Sequence, residues 1–259
     1  MNPWLILGPF GMVVVGVASI IYWRSRSQVE LRFFLFGGLV WAASVAPKFV
    51  MDLTVTPVLS SYMRPHLGLM GYLIFIGVFV GVRTGLFECG AAYLTFKRTN
   101  LREASLDGAT AFGVGFGAFE AIVLGLPSIV QIGMFLLNPG LLDALPPAQR
   151  AYVIEQLSAP TWIVLAPVIE RLFTLFAHIL AAVLVYSAVR WARPRLLLYA
   201  FLYKSALDAP VPYFQWLLGS SSDLRLVYVV EVWVMLLGAV GFLGTARLRR
   251  MLENAGSTW

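Results

Sequence analysis

Charge is scarce in this sequence. Asp, Glu, Lys and Arg make up 12% of the 259 residues, 59% are hydrophobic, and the mean hydropathy is +0.81. A soluble domain carries about 25% charged and about 45–50% apolar residues. A water-soluble globular fold is therefore excluded, and a polytopic membrane protein takes its place. Cysteine is almost absent. Cys89 stands alone, so no internal disulfide can form; it reads as a small buried hydrophobe. Histidine occurs twice, and only His178 falls inside an apolar span. Repeats, low-complexity tracts and long linkers are missing as well, which leaves one integral membrane domain over residues 1–259. The short alternating segments of a β-barrel are also missing. Helices remain, because lipid cannot satisfy open backbone groups. No basic side chain precedes the first apolar run and no small-residue cleavage site follows it. That run is expected to be a retained span and not a removable signal.

What is present is a set of long apolar stretches. At about 20 residues per crossing, the pattern predicts an all-α bundle of about seven transmembrane helices, near 4–23, 33–51, 68–95, 104–125, 161–189, 196–218 and 225–246. Basic residues alternate across them. Arg24, Arg26, Arg32, Lys97, Arg98, Arg102, Arg190, Arg193, Arg195, Arg247, Arg249 and Arg250 fall on one side, and Arg64, Arg150 and Arg225 on the other. This asymmetry predicts the amino terminus outside and the carboxyl terminus in the cytosol. It also accounts for the net charge of +6 without nucleic acid. The bilayer is the expected partner, and a prokaryotic plasma membrane the expected location. Trp4, Trp162, Trp191 and Trp216 lie near span ends, as interfacial anchors do. The outer connection, 126–160, is rich in proline. It predicts a short helix over Ile129–Leu137 at the interface and a surface helix over Ala148–Leu157.

Five carboxylic acids fall inside the apolar spans: Glu88, Glu120, Glu170, Asp208 and Glu231. A charge at the bilayer centre costs about 2.5–3.5 kcal/mol on insertion scales, so each acid must face the bundle interior, find a partner or hold a proton. Lys48, Arg83, Arg171 and Lys204 fall in the same spans, and ion pairs stapling helices together would explain the near balance. Lys204 and Asp208 are four apart, so an internal pair is natural. Pro210 and Pro212 then break the helix beyond Asp208. Arg171 and His178, seven apart, share a face; His178 reads either as a hydrogen-bonded packing residue or as a metal ligand or proton carrier. Pro167 is expected to bend the helix before Glu170. Phe112, Phe116 and Glu120 form one stripe, while Gly113 and Gly117 let another helix approach. Packing gives no reason for Glu120.

These segments resemble the YhfC-type family of intramembrane metalloproteases, itself related to the CPBP group of CAAX-type prenyl proteases. Gly85-Leu-Phe-Glu88-Cys89-Gly90 resembles the family's G-x-F-E-E segment. Phe112-Gly-Val-Gly-Phe116-Gly-Ala-Phe-Glu120-Ala-Ile122 resembles F-G-x-G-H-G-G-x-E-A-I. Glu170-Arg171 resembles an E-R pair, and Lys204-Ser-Ala-Leu-Asp208 resembles H-x-x-x-D. Against those motifs, Cys89 stands for the second acid, and Phe116 and Lys204 stand for histidines. The resemblance implies a peptidase-like bundle whose metal ligands are depleted.

Hydrolysis in a membrane needs an activated water, a base and an oxyanion partner. Zinc prefers four close N, S or O ligands, which disfavours it here, and the metal remains unknown. A metal-free version would use Glu88 or Glu120 as base, with Lys204 and Asp208 orienting and stabilising. Glu88, Glu120, Lys204 and Asp208 are thus the candidate site. Its expected occupant is a transmembrane or lipidated peptide. A pseudoenzyme serving a membrane partner and a proton, ion or amphiphile carrier stand as alternatives.

Overall fold

The computed structural model describes residues 1–221 and 223–256. All the described secondary structure is helical. Helix α1 is Leu7–Ser27, α2 Leu31–Thr84, α3 Gly90–Arg98, α4 Leu106–Leu137, α5 Pro147–Leu157, α6 Leu165–Arg190, α7 Pro194–Asp208, α8 Val211–Ser220 and α9 Leu226–Gly256. A π-helical turn, Gly85–Cys89, joins α2 to α3.

Five of the described helical stretches are long and apolar enough to cross a membrane: Pro3–Ser27, Leu31–Arg98, Leu106–Leu137, Thr161–Arg190 and Leu226–Met251. Two of the predicted features take a different form. The second and third predicted spans are one continuous helical stretch that folds back on itself. The reversal happens at Gly68, with φ +63° and ψ 179°, a conformation that glycine adopts at little steric cost. Past it the two legs run antiparallel. Ser60 Oγ lies 2.8 Å from Tyr72 OH, and Asp52 pairs with Arg83 at 2.6 Å. Residues 12 apart in a straight helix would be about 18 Å apart. The connection expected over 52–67 is therefore helical, with Pro57 and Pro65 inside it. The predicted span 196–218 is the second. It is split into α7 and α8, neither long enough to cross alone, because Pro210 and Pro212 cannot continue the hydrogen-bond ladder.

Two smaller expectations change as well. The apolar run 129–137 is the end of α4, which continues through Pro127, so no separate interfacial helix forms there. The surface helix beyond it is present as α5, starting on Pro147, where a missing N–H costs nothing. Pro167 lies in the first turn of α6 and so opens that helix instead of bending it.

Helix α6 is the central pillar. Its apolar window is 83% buried, against 17–28% in the other four spans, and it packs against α1, α4, α7 and α9. The α4 contact depends on Gly113 and Gly117, as the sequence suggested. A Cβ on Gly113 would stand 2.7 Å from Ile179 Cα, and one on Gly117 3.1 Å from Leu175 Cα and 3.2 Å from His178 Cδ2. In lipid such close packing, not water exclusion, holds helices together.

The two ends of the bundle differ. At one end, Asn2 binds the backbone of Leu157 and Ala159, and Tyr228 OH donates to Trp162 O. At the other, Trp23 and Arg249 both reach Asp107, and Tyr186 donates to Ala104 O. The basic residues flanking α1, α4, α6 and α9 gather at this second end.

Candidate functional site

A polar chamber of about 690 Å³ lies between the first leg of α2, the π turn, α4, α6 and the α7–α8 break. Glu88, Glu120, Lys204 and Asp208 all line it. Four side chains from three separate segments thus reach one hollow. Trp41, Lys48, Glu170, Arg171, Thr174 and His178 complete the polar wall.

Local structure explains how each arrives. Glu88 sits on the π turn, where the widened helix redirects side chains; such single π turns are frequent at functional sites. Lys48 comes from the first leg of α2, at the same helical face as Trp41, seven residues earlier. Glu120 follows Phe112 and Phe116 down one stripe of α4. Phe112 is fully buried against Phe96 at 4.7 Å. Phe116 lies on the His178 ring at 4.8 Å and 34°. Lys204 and Asp208 precede the α7–α8 break, whose Leu207 and Val211 also border the chamber.

The charges form one network. Lys48 Nζ donates to Glu88 Oε1 at 2.6 Å, and Lys204 Nζ pairs with Glu88 Oε2 at 2.8 Å. Arg171 bridges Glu120 Oε1 and Glu170 Oε1 with its two terminal nitrogens. Glu120 Oε2 receives Trp41 Nε1 at 2.8 Å and His178 Nε2 at 3.0 Å. The intrahelical Lys204–Asp208 pair is not the one that forms. Lys204 is drawn to Glu88, and Asp208 Oδ2 instead accepts from Thr84 Oγ1 at 2.7 Å. A buried ammonium gains more from a fully desolvated carboxylate than from one that already has a hydroxyl donor.

His178 is the hub that links the two carboxylates. Lys204 Nζ lies 3.3 Å from its Nδ1. An ammonium has only donors, so Nδ1 must accept. Nε2 then carries the hydrogen and gives it to Glu120. Both ring nitrogens are thus engaged.

The donor set does not suit a metal. Among the described residues, no group of three or more His, Cys, Asp or Glu side chains could hold one. Where a cation would have to sit, the ammoniums of Lys48 and Lys204 and the guanidinium of Arg171 already neutralise the carboxylates. Both nitrogens of His178 are already engaged, and Cys89 is a single buried thiol in a small adjoining hollow that it lines with Phe112, Phe116, Glu88, His178 and Lys204. No chemical step is therefore routed through a metal.

A sequence model of the YhfC intramembrane metalloprotease family matches residues 11–234. The chain belongs to that family. A relative, the uncharacterized membrane protein YhfC of Bacillus subtilis (strain 168), is 26% identical over 253 residues, covering 92% of both chains. No solved structure matches. Membership agrees with an integral, multi-pass protein in a lipid bilayer.

Trp41 and Thr84 were missed from sequence, and Lys48 was seen only as one more buried base. The seven-residue spacing of Trp41 and Lys48 is a signal that could have found the first. Nothing local marks Thr84. Glu231 stays outside the network: its side chain is buried and its Oε2 has no hydrogen-bond partner among the described residues.

Proposed function

We propose that this chain is a non-hydrolysing member of its family that holds a transmembrane or lipid-modified peptide segment in the polar chamber. One observation carries the reading: each candidate base is already neutralised by protein cations, Glu88 by Lys48 and Lys204, and Glu120 by Arg171. A general base must be free to take the proton of the water it activates. Here each candidate base is held by fixed cations or an indole instead. The chamber nevertheless keeps space, bordered by Val45, Leu124, Leu207 and Val234 above the charged floor. A peptide segment would lay its apolar side chains on that border. A carbonyl or terminal carboxylate would meet Lys48 and Lys204. We place the basic end of the bundle in the cytosol, following the charge asymmetry.

The experiment is a pair of measurements on the purified full chain in proteoliposomes. A photoreactive residue at Val45 or Leu124 should crosslink to a transmembrane or lipidated test peptide. The same peptide should remain uncleaved with zinc or with chelator. Cleavage that disappears in Glu88→Gln or Glu120→Gln would overturn the reading and restore a peptidase. A carrier is the second reading, drawn from the buried, unpartnered Oε2 of Glu231. Proton-dependent uptake that Glu231→Gln abolishes would favour it.

A further inference from the structure

A second hollow lies on another face of α6, at the basic end of the bundle. About 1290 Å³ of empty space separates α1 from α9, floored by α4 and α6. Its deep wall is apolar, with Leu175, Phe176 and Ile179 from α6 and Phe242 from α9. Its mouth is cationic, formed by Arg26 of α1 and Arg249 and Arg250 of α9. The hollow shares no lining residue with the polar chamber.

The mouth is built, not incidental. Arg249 Nη2 pairs with Asp107 Oδ1 at 2.5 Å, and Nη1 donates to Thr110 Oγ1 at 3.0 Å. Its guanidinium lies over the Trp23 ring at 5.3 Å, and Trp23 Nε1 donates to Asp107 O at 3.2 Å. Arg249 is therefore fixed in place by α1 and α4 together. Arg26 and Arg250 make no ion pair among the described residues. Arg26 and Arg250 thus add two cations to the Arg249–Asp107 pair, so among the described residues the mouth is net positive, beside an apolar wall.

We infer that this groove holds one anionic phospholipid, its phosphate under Arg26, Arg249 and Arg250 and an acyl chain along Phe176 and Phe242. Charge complementarity selects the headgroup and the apolar wall selects the tail. Basic pockets between transmembrane helices on the cytosolic side bind anionic headgroups for the same reasons. The lipid fills the gap between α1 and α9 that side chains leave open. Arginine suits this role because its planar fork matches phosphate oxygens. A free phosphate would satisfy the arginines and leave the wall bare. A zwitterionic lipid would satisfy the wall and carry its own cation to the mouth.

The test uses the full chain, purified in detergent and offered equal amounts of phosphatidylglycerol and phosphatidylcholine, with retained lipid counted by native mass spectrometry. One phosphatidylglycerol per chain should be retained in preference to phosphatidylcholine. Each arginine near a membrane surface contributes about a fivefold preference, so Arg26→Gln with Arg250→Gln should weaken retention by about 25-fold. Ala246→Trp, which fills the groove and leaves the arginines intact, should abolish it. Millimolar inorganic phosphate should not displace the lipid. Equal retention of the two lipids overturns the inference without any variant. Retention unchanged in both variants does so too, and displacement by inorganic phosphate would make the site one for a soluble anion.

Discussion

The two hollows flanking α6 use the same side chains in opposite ways. In the polar chamber, Lys48, Lys204 and Arg171 are each matched to a carboxylate from another helix. In the groove at the basic end, Arg26 and Arg250 face outward with no such match, over a wall of Phe176 and Phe242. A cation at mid-membrane depth has no water to fall back on, so its partner must come from the protein. A cation at the interface keeps water and headgroups within reach, and its partner can come from the bilayer. Depth thus decides whether a base is a staple or a handle.

That contrast can be broken by substitution. The largest effect should follow loss of a carboxylate in the chamber. Glu88→Gln leaves two ammoniums facing a neutral amide, and Glu120→Gln leaves Arg171 with Glu170 alone. Breaking a buried pair on one side costs about 3–5 kcal/mol, which thermal unfolding in detergent would reveal as a large drop in Tm for either variant. A drop no larger than that of a rim substitution would mean the network is not the staple described here.

Lys204→Met should cost less, about 1.5–3 kcal/mol, the range for a hydrogen bond to a charged group, because Lys48 still holds Glu88. The same unfolding assay ranks the two bases. Next comes Gly113→Val, which adds volume where α4 meets α6 and should cost about 1–3 kcal/mol through overpacking; here crosslinking between cysteines placed on α4 and α6 would show the helices moving apart. The smallest change is expected from Arg26→Gln at the rim. In neutral detergent its unfolding should stay within about 0.5 kcal/mol of the unaltered chain. A large destabilisation there would erase the distinction between the two regions.

Some of this was legible before any coordinates. The apolar runs marked the membrane bundle, and the acids inside them marked the chamber, because few arrangements tolerate a carboxylate in lipid. The Phe112, Phe116, Glu120 stripe and the Gly113–Gly117 contact followed from helical periodicity alone. Other features were hidden. The reversal at Gly68 rests on one residue's φ, in a stretch whose composition suits helix and loop alike. The choice of Lys204 for Glu88 over Asp208 was invisible too, since spacing along α7 favours the local partner. His178 became the hub only because α4, π turn and α7 all converge on it.

Composition, apolar run length and charge placement therefore determined by themselves that this chain lies in a membrane as helices, since water and lipid sort whole segments. Only the tertiary structure decided which charge meets which, because ion pairs between helices far apart in sequence depend on how closely backbones pack and on where one helix turns or breaks.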